Sequence, residues 1–168
     1  MHDGRTVSKL SFRPIEIDRD WDTLVRFHHD LFEISFGSHR TFSEIIYRGI
    51  LRERLAQFPD GQMLALAGDA IVGQVEFWIR PYEGRDVGYV SLFYLTPDWR
   101  GRGLGVELVE RAERYFRTHG MTEYQLRVSE LNKRALGFYL RQGFVKLAAE
   151  ERDGIVTWLM GKTVPQTA

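Results

Sequence analysis

The sequence predicts an α/β domain: one mixed sheet with helices on both faces. Three observations carry that prediction. The first is element order, which runs one strand, two helices, three strands, helix, strand, helix and two closing strands. The second is the apolar run YVSLFYL from Tyr89, which feeds a glycine-rich turn and then at once a helical pattern. A strand–helix–strand crossover through residues 87–128 makes its two strands parallel neighbours. The third is a pair of turn signals, Gly68-Asp69-Ala70 and Arg152-Asp153-Gly154, each joining two strand-like runs into a hairpin.

The elements follow in order. Residues 1–8 read as a loose arm. Leu10–Ile17 is a strand, and Pro14 within it makes it an edge strand. Asp18 or Asp20 caps a helix that begins near Trp21, with Leu24, Phe27, Leu31 and Ile34 at helical spacing until Gly37-Ser38. A second helix follows Ser43, with Ile46, Ile50, Leu51 and Leu55 on one face, and Pro59-Asp60-Gly61 ends it. Met63–Ala67 and Ile71–Ile79 form a hairpin, 81–86 a polar turn, and Val87–Leu95 the strand before the glycines. The next helix carries Leu104, Leu108, Ala112, Tyr115 and Phe116 on one side and stops at Gly120. Tyr124–Val128 is a strand, and Asn132–Gln142 a short helix stopped by Gly143. Phe144–Leu147 and Ile155–Met160 close the sheet, and the tail from 163 to 168 reads as mobile.

Composition narrows the function. A chain of 168 residues is one domain with a real core. Its 23 basic and 23 acidic residues cancel, which argues against nucleic acid or an anionic membrane as the main partner. There is no cysteine, so disulfides, thiolate catalysis and cysteine metal sites are excluded. No apolar run approaches the ~18 residues of a membrane span, and the N-terminus has no hydrophobic signal core. The expectation is a cytoplasmic protein. His28 and His29 are adjacent on a helix and do not share a face, so no metal site is expected from them.

The stretch LTPDWRGRGLGVEL, from Leu95, carries the chemistry. Backbone N–H groups at a helix start lack internal partners, the helix dipole adds positive potential, and glycines admit close approach. Such a loop holds phosphate. It is not a Walker loop, because Leu104-Gly105 stands where a Lys-Ser or Lys-Thr pair belongs. Neither is it the dinucleotide fingerprint, whose third glycine would fall on Val106 or Leu108. What remains is Arg-x-x-Gly-x-Gly at Arg100, Gly103 and Gly105.

That pattern resembles the GCN5-related N-acetyltransferase (GNAT) family. A second stretch, LRVSELNKRALGFYLRQGFVKL, is similar to the family's other motif through Asn132, Ala135, Phe138, Tyr139, Gly143 and Phe144. The resemblance spans 87–147 and is weaker from 10 to 86. It implies a mostly antiparallel sheet with one splayed parallel pair, and transfer of acetyl from acetyl-CoA to a small-molecule or peptide amine, without metal. It places the pyrophosphate on the backbone of Gly101, Arg102, Gly103, Leu104, Gly105 and Val106, with Arg100 and Arg102 as supporting charge or as solvated surface. It gives Phe93, Tyr94 and Leu95 main-chain contacts to pantetheine, and Asn132 a pantetheine contact alongside a helix N-cap role. Tyr139 takes the place of the acid that protonates the departing thiolate, with simple packing as its alternative.

The base is where the resemblance thins. The two strands that carry a glutamate in many relatives read Val90-Ser91-Leu92 and Leu126-Arg127-Val128, with no carboxylate. Glu76 is the nearest candidate, although alternation with Val75 and Phe77 suits a solvent-facing side chain equally well. Water relayed through backbone or Tyr94 is an equal alternative. Trp21, Phe32, Phe36, Phe42 and Tyr47 wall the acceptor site or pack the core. A non-catalytic acyl-CoA-binding module and a peptide N-terminal acetyltransferase stay open as readings. Homodimerisation, common in the family, would draw on the apolar strand IVTWLM.

Overall fold

The computed structural model describes residues 9–166. The loose arm expected over 1–8 lies outside the described residues, as do 167 and 168. The element order is the one the sequence predicts: β1 (Ser11–Pro14), α1 (Ile17–Phe36), α2 (Glu44–Gln57), β2 (Gln62–Ala67), β3 (Ala70–Tyr82), β4 (Arg85–Leu95), α3 (Gly105–Thr118), β5 (Glu123–Ser129), α4 (Lys133–Arg141), β6 (Val145–Arg152) and β7 (Ile155–Thr163). The seven strands form one sheet in the order β1-β2-β3-β4-β5-β7-β6. Every pairing is antiparallel except β4 with β5.

Local chemistry sets the ends of these elements. Pro14 closes β1 at the sheet edge, where its missing N–H costs no ladder bond. Helix α1 starts at Ile17, ahead of the expected Trp21, and Asp20 works from inside its first turn. The Asp20 carboxylate accepts the Glu16 amide at 2.8 Å and is gripped by Arg13 at 2.7 and 2.9 Å. At α2 the Ser43 hydroxyl accepts the Ile46 amide, the usual N-cap bond. The polar turn expected over 81–86 shrinks to Glu83-Gly84, both at positive φ, a geometry that matches strand twist and lets the β3–β4 ladder run to Tyr82–Arg85. The loose tail expected from 163 is tied down at its start: Val164 is buried, its amide bonds the Thr122 carbonyl, and Arg117 donates to Pro165.

Two apolar cores lie on opposite faces of the sheet. Helices α3 and α4 cover one face through Leu108, Ala112, Phe116 and Leu136, packed on Val75, Phe77, Val90 and Leu126. Helices α1 and α2 cover the other through Leu24, Phe27, Tyr47 and Leu51, packed on Leu64, Leu92 and Tyr94. The face expected of α2 is rotated. Tyr47 and Leu51 are buried, whereas Ile46 and Ile50 are exposed, because the Tyr47 hydroxyl finds a buried polar partner on the sheet.

Strand β4 changes faces midway. Val90 and Leu92 are two apart and would share a face in a regular strand. Here they belong to opposite cores. The cause is a β-bulge: Glu76 pairs with Leu92 and Phe77 with Val90, leaving Ser91 extra. Parallel pairing with β5 covers only Gly88–Val90 against Tyr124–Leu126, so the strands part at the bulge. Strand β7 lies between β5 and β6 with both edges paired, so IVTWLM offers no free edge to a second copy and β6 is the outer strand.

Candidate active site

Beyond the bulge β4 has a free side. The Thr96 amide bonds the Val72 carbonyl on β3. Alternation along an antiparallel strand then gives the N–H and C=O of Tyr94 to β3 and turns those of Phe93 and Leu95 into the gap left by β5. This corrects the role expected of Tyr94, whose main chain is engaged with Gln74. The Leu95 carbonyl is also taken, by Arg100 Nε at 2.8 Å. The gap thus presents the Phe93 N–H and C=O and the Leu95 N–H.

The loop beyond Pro97 supplies the rest. Gly101 and Gly103 have φ of 74° and 77°, which only glycine adopts without strain. Leu104 caps α3 with no side-chain bond. Among the described residues, none of the amides from Gly101 to Val106 has a hydrogen-bond partner; the first bonded amide is that of Glu107, to the Leu104 carbonyl. A run of unpaired N–H groups at the positive end of a helix is a cradle for a pyrophosphate.

A cleft of about 530 Å³ joins this cradle to the gap. It brings together Phe93, Tyr94, Leu95, Arg100, Gly101, Gly103, Leu104, Gly105, Asn132 and Tyr139 of the residues expected from sequence. Arg102 and Val106 do not line it with side chains: the Arg102 guanidinium lies over the Trp99 ring and Val106 faces solvent. Arg100 is neither free surface nor a free charge, because its Nη2 meets Asp30 Oδ2 at 2.7 Å. Asp30 also accepts from the Tyr94 hydroxyl, so it clamps loop and strand to α1. The sequence reading missed Asp30, and it missed Arg134 and Arg141, cationic side chains on the cleft wall. A guanidinium nitrogen of Arg134 lies 2.9 Å from where a Cβ on Gly101 would stand, beside the cradle. The spacing of Arg134 and Arg141 on α4 was the available signal.

Asn132 caps α4 by accepting the Ala135 amide at 3.2 Å, and it lines the cleft as well, so both of its expected roles are compatible. Tyr139 packs against Phe93, Phe138 and Phe144. Its hydroxyl makes no hydrogen bond within the described residues and opens to the cleft. Burial raises its pKa above the usual 10, which keeps the phenol protonated and able to donate. Amides for a pyrophosphate, an unpaired strand edge for the pantetheine amides and a phenol at the far end together fit coenzyme A.

Glu76 is buried at 4% exposure, which removes the solvent-facing alternative. The sheet is covered on both faces, so alternation carries no information on exposure here. Glu76 Oε2 accepts from the Tyr47 hydroxyl at 2.7 Å and Gln74 Nε2 at 2.8 Å, and Gln74 also donates to the Tyr47 oxygen at 2.9 Å. His28 Nε2 stands 3.6 Å from Oε2, while its Nδ1 pairs with the Leu24 carbonyl at 2.8 Å. Burial pushes Glu76 up to about 7 against the opposing pull of Tyr47 and Arg54, and pushes His28 down to about 4. Among the described residues no group of three or more His, Asp or Glu side chains could hold a metal.

A sequence profile of the acetyltransferase (GNAT) family matches residues 21–144. The chain belongs to that family. Among its relatives, an uncharacterised N-acetyltransferase of Methanocaldococcus jannaschii is 30% identical over 139 residues, 77% of this chain and 59% of that protein. The chain thus spans less than two thirds of that relative's length. The N-alpha-acetyltransferase 30 of Schizosaccharomyces pombe is 25% identical over 126 residues, 74% of this chain and 84% of that one. The spermidine N-acetyltransferase from Vibrio cholerae, solved with CoA and spermine, superposes with a TM-score of 0.72 over 94% of this chain and 96% of its own, at 17% identity. That last likeness is one of fold.

Proposed function

We propose that this GNAT domain is an acetyl-CoA-dependent N-acetyltransferase that moves the acetyl group directly to a primary amine of a small molecule or peptide. One observation carries the reading: the unpaired amides of 101–106 and the free phenol of Tyr139 line one continuous cleft along the open edge of β4. The amides hold the pyrophosphate, and the Phe93 and Leu95 main chain receives the pantetheine arm. An N–H of that edge also donates to the thioester oxygen as negative charge builds there. The amine nitrogen forms its bond to the carbonyl carbon, the carbon–sulfur bond breaks, Tyr139 gives its proton to the departing sulfur, and the proton shed by the new amide nitrogen passes to solvent, from which the Tyr139 phenolate is reprotonated. No cysteine is present to carry the acetyl group as a thioester on the enzyme, which supports transfer within a ternary complex. An N-alpha-acetyltransferase stands among the relatives, which supports an amine acceptor.

The test is thiol release from acetyl-CoA with a panel of primary amines, alongside calorimetric binding of coenzyme A. Amine-dependent thiol release supports the enzyme. Coenzyme A binding with no release for any amine leaves the acyl-CoA-binding module in its place.

A further inference from the structure

A second pocket, of about 370 Å³, opens on the α1–α2 face of the sheet. Its walls are His28, Phe32, Phe42, Tyr47, Ile46 and Ile50. Arg40, Thr41, Ser43, Arg152 and Asp153 complete the lining, with Arg40 paired to Asp153 at 3.8 Å. One side of it is a packed aromatic wall: His28 packs on Tyr47 and Phe42, and Phe42 on Phe32. Aromatic faces attract an ammonium group, and the nearest buried anion is Glu76, directly behind Tyr47.

The recess and the cleft are neighbours. Helix α1 gives His28 and Phe32 to the recess and Leu31 and Ile34 to the cleft. Glu76 pairs across the sheet with Leu92, the residue after the bulge and before Phe93, where the free edge of β4 begins.

Resting on the acetyltransfer reading, we propose that the recess takes the acceptor as a primary ammonium group on an apolar body, and that Tyr47 relays the ammonium proton to Glu76. In that step the nitrogen–hydrogen bond breaks as a bond forms to Tyr47 Oη, and Tyr47 passes its own proton to Glu76 Oε2, 2.7 Å away. The neutral amine keeps the electron pair that attacks the thioester. Tyr47 is the catalytic residue, since it touches the amine, and Glu76 acts through it. The Tyr47 oxygen accepts one bond, from Gln74, and has a second lone pair for the amine.

The electrostatics suit a receiver of protons. Burial and the Glu76 charge hold the Tyr47 pKa far above its usual value, so the phenol passes a proton without standing as phenolate. From α1, His28 faces Glu76; with its Nδ1 proton on Leu24, a neutral His28 turns its Nε2 lone pair toward the carboxyl and favours a proton there, while the adjacent His29 lowers the His28 pKa. From α2, Tyr47 and Arg54 favour the anion; from β3, Gln74 donates to it. On β2 and β4 the cross-strand neighbours are Gln62, whose amide is bonded to Phe77 and Phe58, and the apolar Leu92. Burial is the largest effect and puts the carboxyl near 7, so Glu76 is a carboxylate above that pH and a neutral acid below it.

Acetyl transfer to phenethylamine, hexylamine, a dipeptide amide and spermidine is measured by thiol release, and the best acceptor is followed from pH 5.5 to 10.5. Wild-type kcat/KM is expected to rise to a plateau above about pH 7 and to favour the monocations with apolar bodies. Glu76→Gln and Tyr47→Phe should each lower it about 10²-fold at pH 8. In both, the rise should move toward the amine's own ionisation, roughly 10, because neutral amine must then come from solution. The double variant should be no slower than either single one, since both remove one relay. Coenzyme A affinity should stay unchanged in all three. The relay is overturned if either variant keeps the break near pH 7, or if the double variant multiplies the two losses. A preference for spermidine overturns the apolar recess. Activity in wild type with these failures leaves acetyl transfer standing, whereas no transfer to any amine sinks both.

Discussion

The cleft beside β4 and the recess beside α2 lie on the two flanks of α1, and they are built from different material. The cleft works through the main chain: unpaired amides at 101–106 and the free edge of β4 do the binding, and several side chains there are tied up elsewhere. The recess works through side chains from three elements: His28 on α1, Tyr47 on α2, and Gln74 and Glu76 on β3. Main-chain binding tolerates side-chain change but demands particular φ and ψ, hence glycines. A side-chain cluster tolerates backbone drift less, because the bonds of Tyr47 to Glu76 and Gln74 join residues distant in sequence. That division leaves the recess side chains free to vary without disturbing the main-chain cleft.

Substitutions can break this division. The largest effect is expected for Tyr139→Phe. Its kcat should fall about 10²-fold or more, with coenzyme A affinity unchanged by calorimetry. Because the Tyr139 pKa is raised, no loss of activity from its ionisation should appear below pH 10 in wild type. Unchanged turnover would return Tyr139 to a packing role. Gly103→Val comes next. No atom lies within 4 Å of a Cβ there, so the effect is purely one of φ at 77°. Forcing an L side chain into that region costs about 1–2 kcal/mol, so coenzyme A should bind about tenfold more weakly with little change in amine KM.

Asp30→Ala tests whether the clamp between the two regions is structural. It removes the acceptor for the Tyr94 hydroxyl and Arg100 and should lower stability by about 1–2 kcal/mol, a Tm drop of roughly 3–6 °C. Thermal melting reads this directly, and an unchanged Tm would make the clamp an idle contact. The smallest effect is expected for Ile46→Ser. Ile46 is exposed, so Tm should hold within about 1 °C, while KM for an apolar amine rises a few fold. An unmoved KM would detach α2 from the acceptor.

The legibility of the two regions in the sequence follows from the same difference. Gly101, Gly103 and Gly105 are local: a strand, a turn and a helix start lie within one short stretch, so their purpose shows without neighbours. Asn132 and Tyr139 were legible as the second part of a motif. By contrast, Glu76 stands in the sequence as the nearest candidate base with an exposed position equally open to it, because period-2 alternation reports two faces and cannot say that both are covered. Tyr47 was read only as wall or core. Ile46 and Ile50 were assigned to the buried face of α2, which turned toward the partner that the Tyr47 hydroxyl found on β3.

By itself the sequence determined the order of the elements, the parallel crossover and the phosphate-holding loop, since each rests on periodicity, turn chemistry or backbone freedom acting over a few residues. The tertiary structure decided the rest. A single extra residue, Ser91, switched β4 from one core to the other and opened it from β5. Packing α1 and α2 over the sheet then removed Glu76 from water beside Tyr47 and His28. Burial and hydrogen bonding across 29 positions of chain are properties of the folded contacts, and no local pattern encodes them.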